Sequence, residues 1–224
     1  MPNKGRLIVI EGLDGSGKET QTNLLRGDLL ERGVDLKSVS FPVYTSAASS
    51  LVRMYLAGQF GSHPDDVSAY AASAFYAVDR FASYKQSWQA FYEAGGTVLA
   101  DRYTTSNAIH QCAKLPQDQW DNYLDWLFDF EYHLLGIPQP DLVLCLSMDP
   151  AVSERLLHER YAREGGTEDI HESDHAYLSR CRKAAEYCAE KLGWTTVECA
   201  PRGQLRTIED IHDEIRGLVM SDAR

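Results

Sequence analysis

The stretch Ile8-Val9-Ile10-Glu11-Gly12-Leu13-Asp14-Gly15-Ser16-Gly17-Lys18-Glu19-Thr20 decides the fold class of this 224-residue chain. An apolar, β-branched run stops at Gly12, Gly17-Lys18 follow after four residues, and an amphipathic helical pattern begins at once. Strand, glycine-rich turn and helix N-terminus in that order make a phosphate-binding loop. Successive backbone N–H groups wrap an anion, the helix dipole adds to the attraction, and Lys18 brings a mobile positive charge. Side chains at the glycines would block both the turn and the approach of the backbone. One letter departs from the general pattern: Glu19 stands where a Ser or Thr usually follows the lysine.

Outward from that loop, four more short apolar runs read as strands, at residues 36–40, 97–100, 142–146 and 195–198, after a first at 6–10. Helical periodicity lies between them, at 21–32, 46–56, 65–94, 117–135, 150–163, 175–192 and 207–220. Alternating strands and helices imply an α/β fold with a parallel sheet covered on both faces. No linker or repeat interrupts the pattern, so one domain over 1–224 is expected. The polar, glycine-containing stretch 163–169 is either a loop that closes over a substrate or a plain surface loop.

Composition narrows the function classes. Hydrophobic residues are 44 % and charged residues 25 %, as in ordinary globular chains. A net charge of −11 argues against a nucleic-acid surface, although a local basic cleft on an acidic protein still suits a nucleotide. Five cysteines without a CxxC pair read as reduced thiols of a cytoplasmic protein. Neither a signal peptide nor a membrane span is expected.

Three further constellations carry chemistry. The run Val98-Leu99-Ala100 ends in Asp101-Arg102. Ligands of open α/β sheets bind beyond the carboxyl ends of the strands, which sets this pair beside the phosphate loop. Asp101 suits the water shell of Mg²⁺, and Arg102 offers a fork of donors to a phosphate. The alternative is a surface ion pair. Tyr76 and Arg80, four apart on one helix face beside Phe75 and Asp79, form either a base-stacking platform with a guanidinium or part of a core. Arg155, Arg160 and Arg163 lead into the 163–169 stretch; arginines on a closing lid would neutralise a transferring phosphoryl group, and otherwise form a solvated helix face.

Together these residues resemble the thymidylate kinase family. The resemblance rests on the loop from Ile10 to Gln21, Phe41-Pro42-Val43-Tyr44, Tyr76-Ala77-Val78-Asp79-Arg80, Asp101-Arg102-Tyr103-Thr104-Thr105-Ser106-Asn107 and Pro140-Asp141-Leu142-Val143, in that order. It implies a P-loop NTPase fold, a five-stranded parallel sheet with helices on both faces and a short lid at about 158–172. It also implies ATP and dTMP as substrates, Mg²⁺ as cofactor and a homodimer. By the same resemblance, Gly12, Asp14, Gly15, Ser16, Gly17, Lys18, Glu19 and Thr20 hold ATP, with Asp14 facing the acceptor. Tyr76 or Phe75 stacks on thymine, Arg80 reaches O4, Asn107 reads N3, and Arg102 takes the dTMP phosphate with Tyr44 and Ser106 nearby. Tyr103 and His110 lie against the deoxyribose. Asp101, Glu19 and Asp14 are the metal candidates.

Family members differ in where the catalytic arginine sits. Here Gly15 follows Asp14, so the resemblance implies arginine supplied from the lid, by Arg160 or Arg163, with Asp169 and Glu172 facing the acceptor side. Two departures remain. Val43 and Tyr44 replace an arginine found in many Phe-Pro segments, leaving phosphate recognition to Arg102 or to Arg53. Glu19 either ligates Mg²⁺ or turns away and leaves Thr20 on the phosphate. The rival readings are a P-loop kinase for another deoxynucleotide or deoxynucleoside, and a nucleotide-binding module without turnover.

Overall fold

The computed structural model describes residues 4–164 and 169–222. Strands β1 (Arg6–Gly12), β2 (Leu36–Ser40), β3 (Thr97–Asp101), β4 (Leu142–Ser147) and β5 (Thr195–Glu198) form one sheet in the order β2-β3-β1-β4-β5, each pair parallel. Around it lie α1 (Lys18–Glu31), α2 (Ser50–Leu56), α3 (Ala69–Ser83), α4 (Gln89–Glu93), α5 (Thr104–Cys112), α6 (Trp120–Phe128), α7 (Pro150–Glu164), α8 (His175–Leu192) and α9 (Ile208–Ser221). All five expected strands are present, and β1 runs on to Gly12.

Alternation along β1 explains why its sequence is apolar throughout. Ile8 and Ile10 pack with Leu25, Leu29, Ile211 and Ile215 of α1 and α9. Leu7 and Val9 face the opposite side, against Tyr84, Trp88 and Tyr92. Burial on both faces removes the need for polar positions. A third cluster joins α5, α6 and α8 through Ile109, Leu124, Leu127, Tyr177 and Cys181. All five cysteines are buried free thiols. No helix among the described residues is long and apolar enough to cross a membrane.

Three helical expectations are corrected. The segment 65–94 is not one helix: the Ser68 hydroxyl caps α3, and a π-helical turn, Tyr84–Trp88, separates α3 from α4. That wider turn offsets the drift which a spacing of four accumulates in a regular helix, keeping Tyr84, Trp88 and Tyr92 over the sheet. Likewise 117–135 divides into a short 3₁₀ turn, α6 and a π-helical segment, Asp129–Leu134, which turns Glu131 into the interior. Helix α5 was absent from the periodicity reading. Its start, Thr104-Thr105-Ser106-Asn107, is polar and β-branched, and burial on nearly every side overrides those propensities.

Register then positions the chemistry. Ile10 pairs with Asp101, so the carboxyl end of β3 lies beside the glycine-rich loop at the end of β1.

Candidate active site

Gly12, Gly15 and Gly17 have φ of 153°, 76° and 83°, values that L side chains rarely adopt. Gly15 also has no room: a Cβ there would stand 2.6 Å from the carbonyl oxygen of Ser153 on α7. The Ser153 hydroxyl donates to the Asp14 carbonyl at 2.6 Å, joining loop and helix. Gly17 gives α1 no side-chain cap, which leaves first-turn N–H groups for an anion. Lys18 curls back to donate to the Leu13 carbonyl at 2.9 Å and lies 3.8 Å from Asp14. Burial and the nearby Arg102 guanidinium push its ammonium down to about 8.

Arg102 sits at φ 65°, in the left-handed region, with its N–H on the Ile10 carbonyl at 3.1 Å. Its guanidinium bonds the Asp14 carboxylate and, at 3.3 Å, the Ser106 hydroxyl. Burial works against ionisation of Asp14, but Arg102 and Lys18 outweigh it and hold the carboxyl well below the usual range. Behind them lies Glu11, fully buried, which accepts from the Gly12 N–H at 2.9 Å, Thr105 Oγ1 at 2.5 Å and Ser106 Oγ at 2.8 Å. Among the described residues at this end, Ser16 Oγ and Asp101 Oδ1 are buried without a partner, as are Gln21 Oε1 and Thr22 Oγ1 on α1, and burial raises the Asp101 carboxyl above its ordinary range.

A cavity of about 870 Å³ runs from the loop to the far wall. Most expected positions line it: Asp14 to Thr20, Tyr44, Tyr76, Arg80, Asp101, Arg102, Ser106, Asn107, His110 and Arg163, with Asp169 and Glu172. Gly12 lies just outside, at the base of the turn. The Arg160 side chain lies outside the described residues, as do residues 165–168 of the expected lid.

Several expectations are corrected. Phe75 turns from the cavity to pack on Tyr55 and Phe60, leaving Tyr76 as the ring in the wall. Tyr103 also lines the cavity, but the residue is buried and its hydroxyl donates to the Pro138 carbonyl at 2.9 Å, so it offers a ligand no free hydroxyl. Arg53 gives its donors to the Tyr44 and Ser46 carbonyls and the Ser49 hydroxyl, stapling a loop. Arg155 is exposed, 3.9 Å from Glu159, and is not among the described residues that line the cavity, although Glu159 is. Asp14, a metal candidate by resemblance, pairs with Arg102 through Oδ1.

The far wall depends on a residue that sequence reasoning passed over. Glu131 is fully buried and accepts from Arg80 Nε at 2.7 Å, Arg80 Nη2 at 2.5 Å, Thr104 Oγ1 at 3.0 Å and Asn107 Nδ2 at 3.1 Å. Burial disfavours the Arg80 charge, but Glu131 more than restores it, raising its pKa. His110 is held neutral by burial, its pKa pushed down to about 3, and stacks on His171 at 5.6 Å between ring centroids. His171 bonds the Tyr55 hydroxyl at 2.8 Å, tying the described end of the expected lid stretch, residues 169–172, to α2. Asp169 opens that segment, with burial pushing its carboxyl up to about 6.

A glycine-rich loop after the central strand of a parallel sheet, an acid–arginine pair on the neighbouring strand and a second polar wall across one cavity define a P-loop phosphotransferase. A thymidylate kinase family model matches residues 10–215. The chain is 30 % identical to the thymidylate kinase of Mycobacterium tuberculosis over 191 residues, covering 84 % of this chain and 87 % of that one. It is 28 % identical to the human thymidylate kinase, covering 96 % and 90 %. The solved thymidylate kinase of Candida albicans shares the fold, with a TM-score of 0.72 at 22 % identity over 98 % of this chain and 92 % of that one. The chain belongs to the thymidylate kinase family.

Proposed function

We propose that this chain phosphorylates dTMP from ATP by direct in-line transfer, with its catalytic arginine supplied from the lid. One observation carries the reading: a single cavity is lined both by Lys18 and Arg102 and by Arg80 with Asn107. The first pair suits phosphates and the second a thymine. In the proposed complex the α1 N-terminus and Lys18 hold the ATP phosphates. Arg102, already aimed by Asp14 and Ser106, takes the acceptor phosphate, and Tyr76 stacks on the base. Arg163, in the cavity wall, brings positive charge to the transferring group, a role shared with Arg160. No general base is needed, because a monoester phosphate is already anionic at neutral pH.

The residues present fit Mg²⁺. Asp101 Oδ1 and Ser16 Oγ are buried oxygens without partners, Glu19 adds a carboxylate at the cavity, and this ion takes few protein ligands. When bound, Mg²⁺ neutralises charge on the phosphate oxygens. The family's homodimer would cover the outward face of α3, where Tyr70 and Val78 are exposed.

An ADP-release assay over dTMP, dUMP, dCMP, dGMP and thymidine tests the assignment. The expected result is a clear preference for dTMP. Preference for thymidine would make it a nucleoside kinase, and calorimetric binding of ATP and dTMP without dTDP would make it a binding module.

A further inference from the structure

We propose that Glu131 is the positioning residue that makes the base pocket select a thymine edge over a cytosine edge, by fixing the amide of Asn107 and the plane of Arg80. The proposal rests on the reading of Arg80 and Asn107 as the groups that meet the base.

An ionised carboxylate only accepts hydrogen bonds. Its Oε1 takes Arg80 Nη2 at 2.5 Å and Asn107 Nδ2 at 3.1 Å, so one oxygen holds the two recognition groups side by side. The Ser73 carbonyl, another pure acceptor, takes Asn107 Nδ2 at 3.1 Å. Two acceptors around one amide nitrogen fix its orientation, and with both hydrogens used only Oδ1 is left for a ligand. Asn107 lines the cavity, and no described residue donates to its Oδ1. Arg80 is oriented in the same way. Its Nε and Nη2 lie on Glu131 and its Nη1 donates to the Tyr103 carbonyl at 3.3 Å, which leaves two of its five N–H groups.

The wall therefore shows an acceptor beside a donor. Thymine and uracil present N3–H and O4, a donor beside an acceptor, and match both. Cytosine presents a bare N3 and an amino group, which sets acceptor on acceptor and donor on donor. Polar groups left unpaired in a closed site give strong discrimination. Glu131 touches no base in this arrangement; it acts through its two neighbours. Were it only neutralising Arg80, its replacement would weaken all acceptors alike.

The test compares kcat/KM for dTMP and dCMP in wild type and E131Q. Glutamine keeps the shape but brings an N–H against Arg80 or Asn107, a clash relieved when the Asn107 amide turns over. The expected outcome is a dTMP:dCMP ratio about 10-fold lower or more, carried mainly by a higher KM for dTMP. A ratio unchanged within twofold in folded E131Q overturns the proposal. Should E131Q fail to fold, E131D keeps the charge while withdrawing the carboxylate, and the same ratio is read with the same two outcomes. Wild-type protein supplies an independent measurement. Both Asn107 side-chain amide protons, assigned by NMR against N107D, are expected to exchange slowly, and rapid exchange of both overturns the proposal. A wild type without preference for dTMP overturns the reading of Arg80 and Asn107 and the proposal with it. A wild-type preference for dTMP that stays within twofold in E131Q overturns the proposal alone.

Discussion

At the base end of the cavity the Glu131 carboxylate is filled by four donors, whereas at the phosphate end Ser16 Oγ and Asp101 Oδ1 are buried with nothing to bond. Arg102, also at the phosphate end, is held in a left-handed backbone conformation that stores about 1 kcal/mol or more. The fold itself satisfies the Glu131 carboxylate, while Ser16 and Asp101 each keep an oxygen unbonded to any described residue. This division suits the chemistry, because selection is sharpest with groups already fixed and catalysis needs groups whose best partner is the transition state.

Substitutions at the phosphate end should give the largest effects. K18A and R102A are each expected to lower kcat by about 10³-fold or more with melting temperatures nearly unchanged. Near wild-type turnover in either would break the comparison. R163A is expected to lower kcat by about 100-fold with little change in the KM for dTMP, read by steady-state kinetics at saturating ATP. At the base end the split should reverse. N107L is expected to raise the KM for dTMP about tenfold while kcat stays within a few-fold.

Titration sharpens the same contrast. Lys18, pushed down to about 8, loses its charge as pH rises through that value, so kcat/KM for ATP should decline above about pH 8. The smallest effect concerns stability. His110, pushed down to about 3, and His171, pushed well below its ordinary range, are neutral when folded but charge near pH 6.5 when unfolded. Their contribution is complete above pH 6.5 and falls by about 1.4 kcal/mol per pH unit for each below it. Asp169, pushed up to about 6, opposes one of them between about pH 4 and 6, since it binds a proton more readily when folded. Urea midpoints should therefore drop from pH 7 to pH 5; a flat profile would contradict the burial of the two rings.

The phosphate end was largely legible because it is built from local sequence. One strand, one turn and one helix start carry Gly12 to Thr20, and strand register brings in Asp101 and Arg102. The base end was legible only in part. Tyr76 and Arg80 show their shared face through spacing, but Glu131 gives no local sign: it is one of two acids in the stretch 129–131 and is turned inward by a π-helical segment that periodicity does not encode. Arg53 misled for a related reason. Its charge suggested ligand contact, whereas its partners are the carbonyls and hydroxyl of a loop whose path no pattern reveals. Helix α5 was missed because its stability comes from burial rather than propensity.

The close seating of Gly15 against Ser153 also limits what this scaffold can become. A side chain at position 15 would meet the backbone and side chain of Ser153 and the side chain of Leu157. Placing a cation in the loop after Asp14 would therefore need a new course for α7 as well as a new residue at 15. The seam between loop and helix thus fixes glycine at this position, whichever group supplies the catalytic charge.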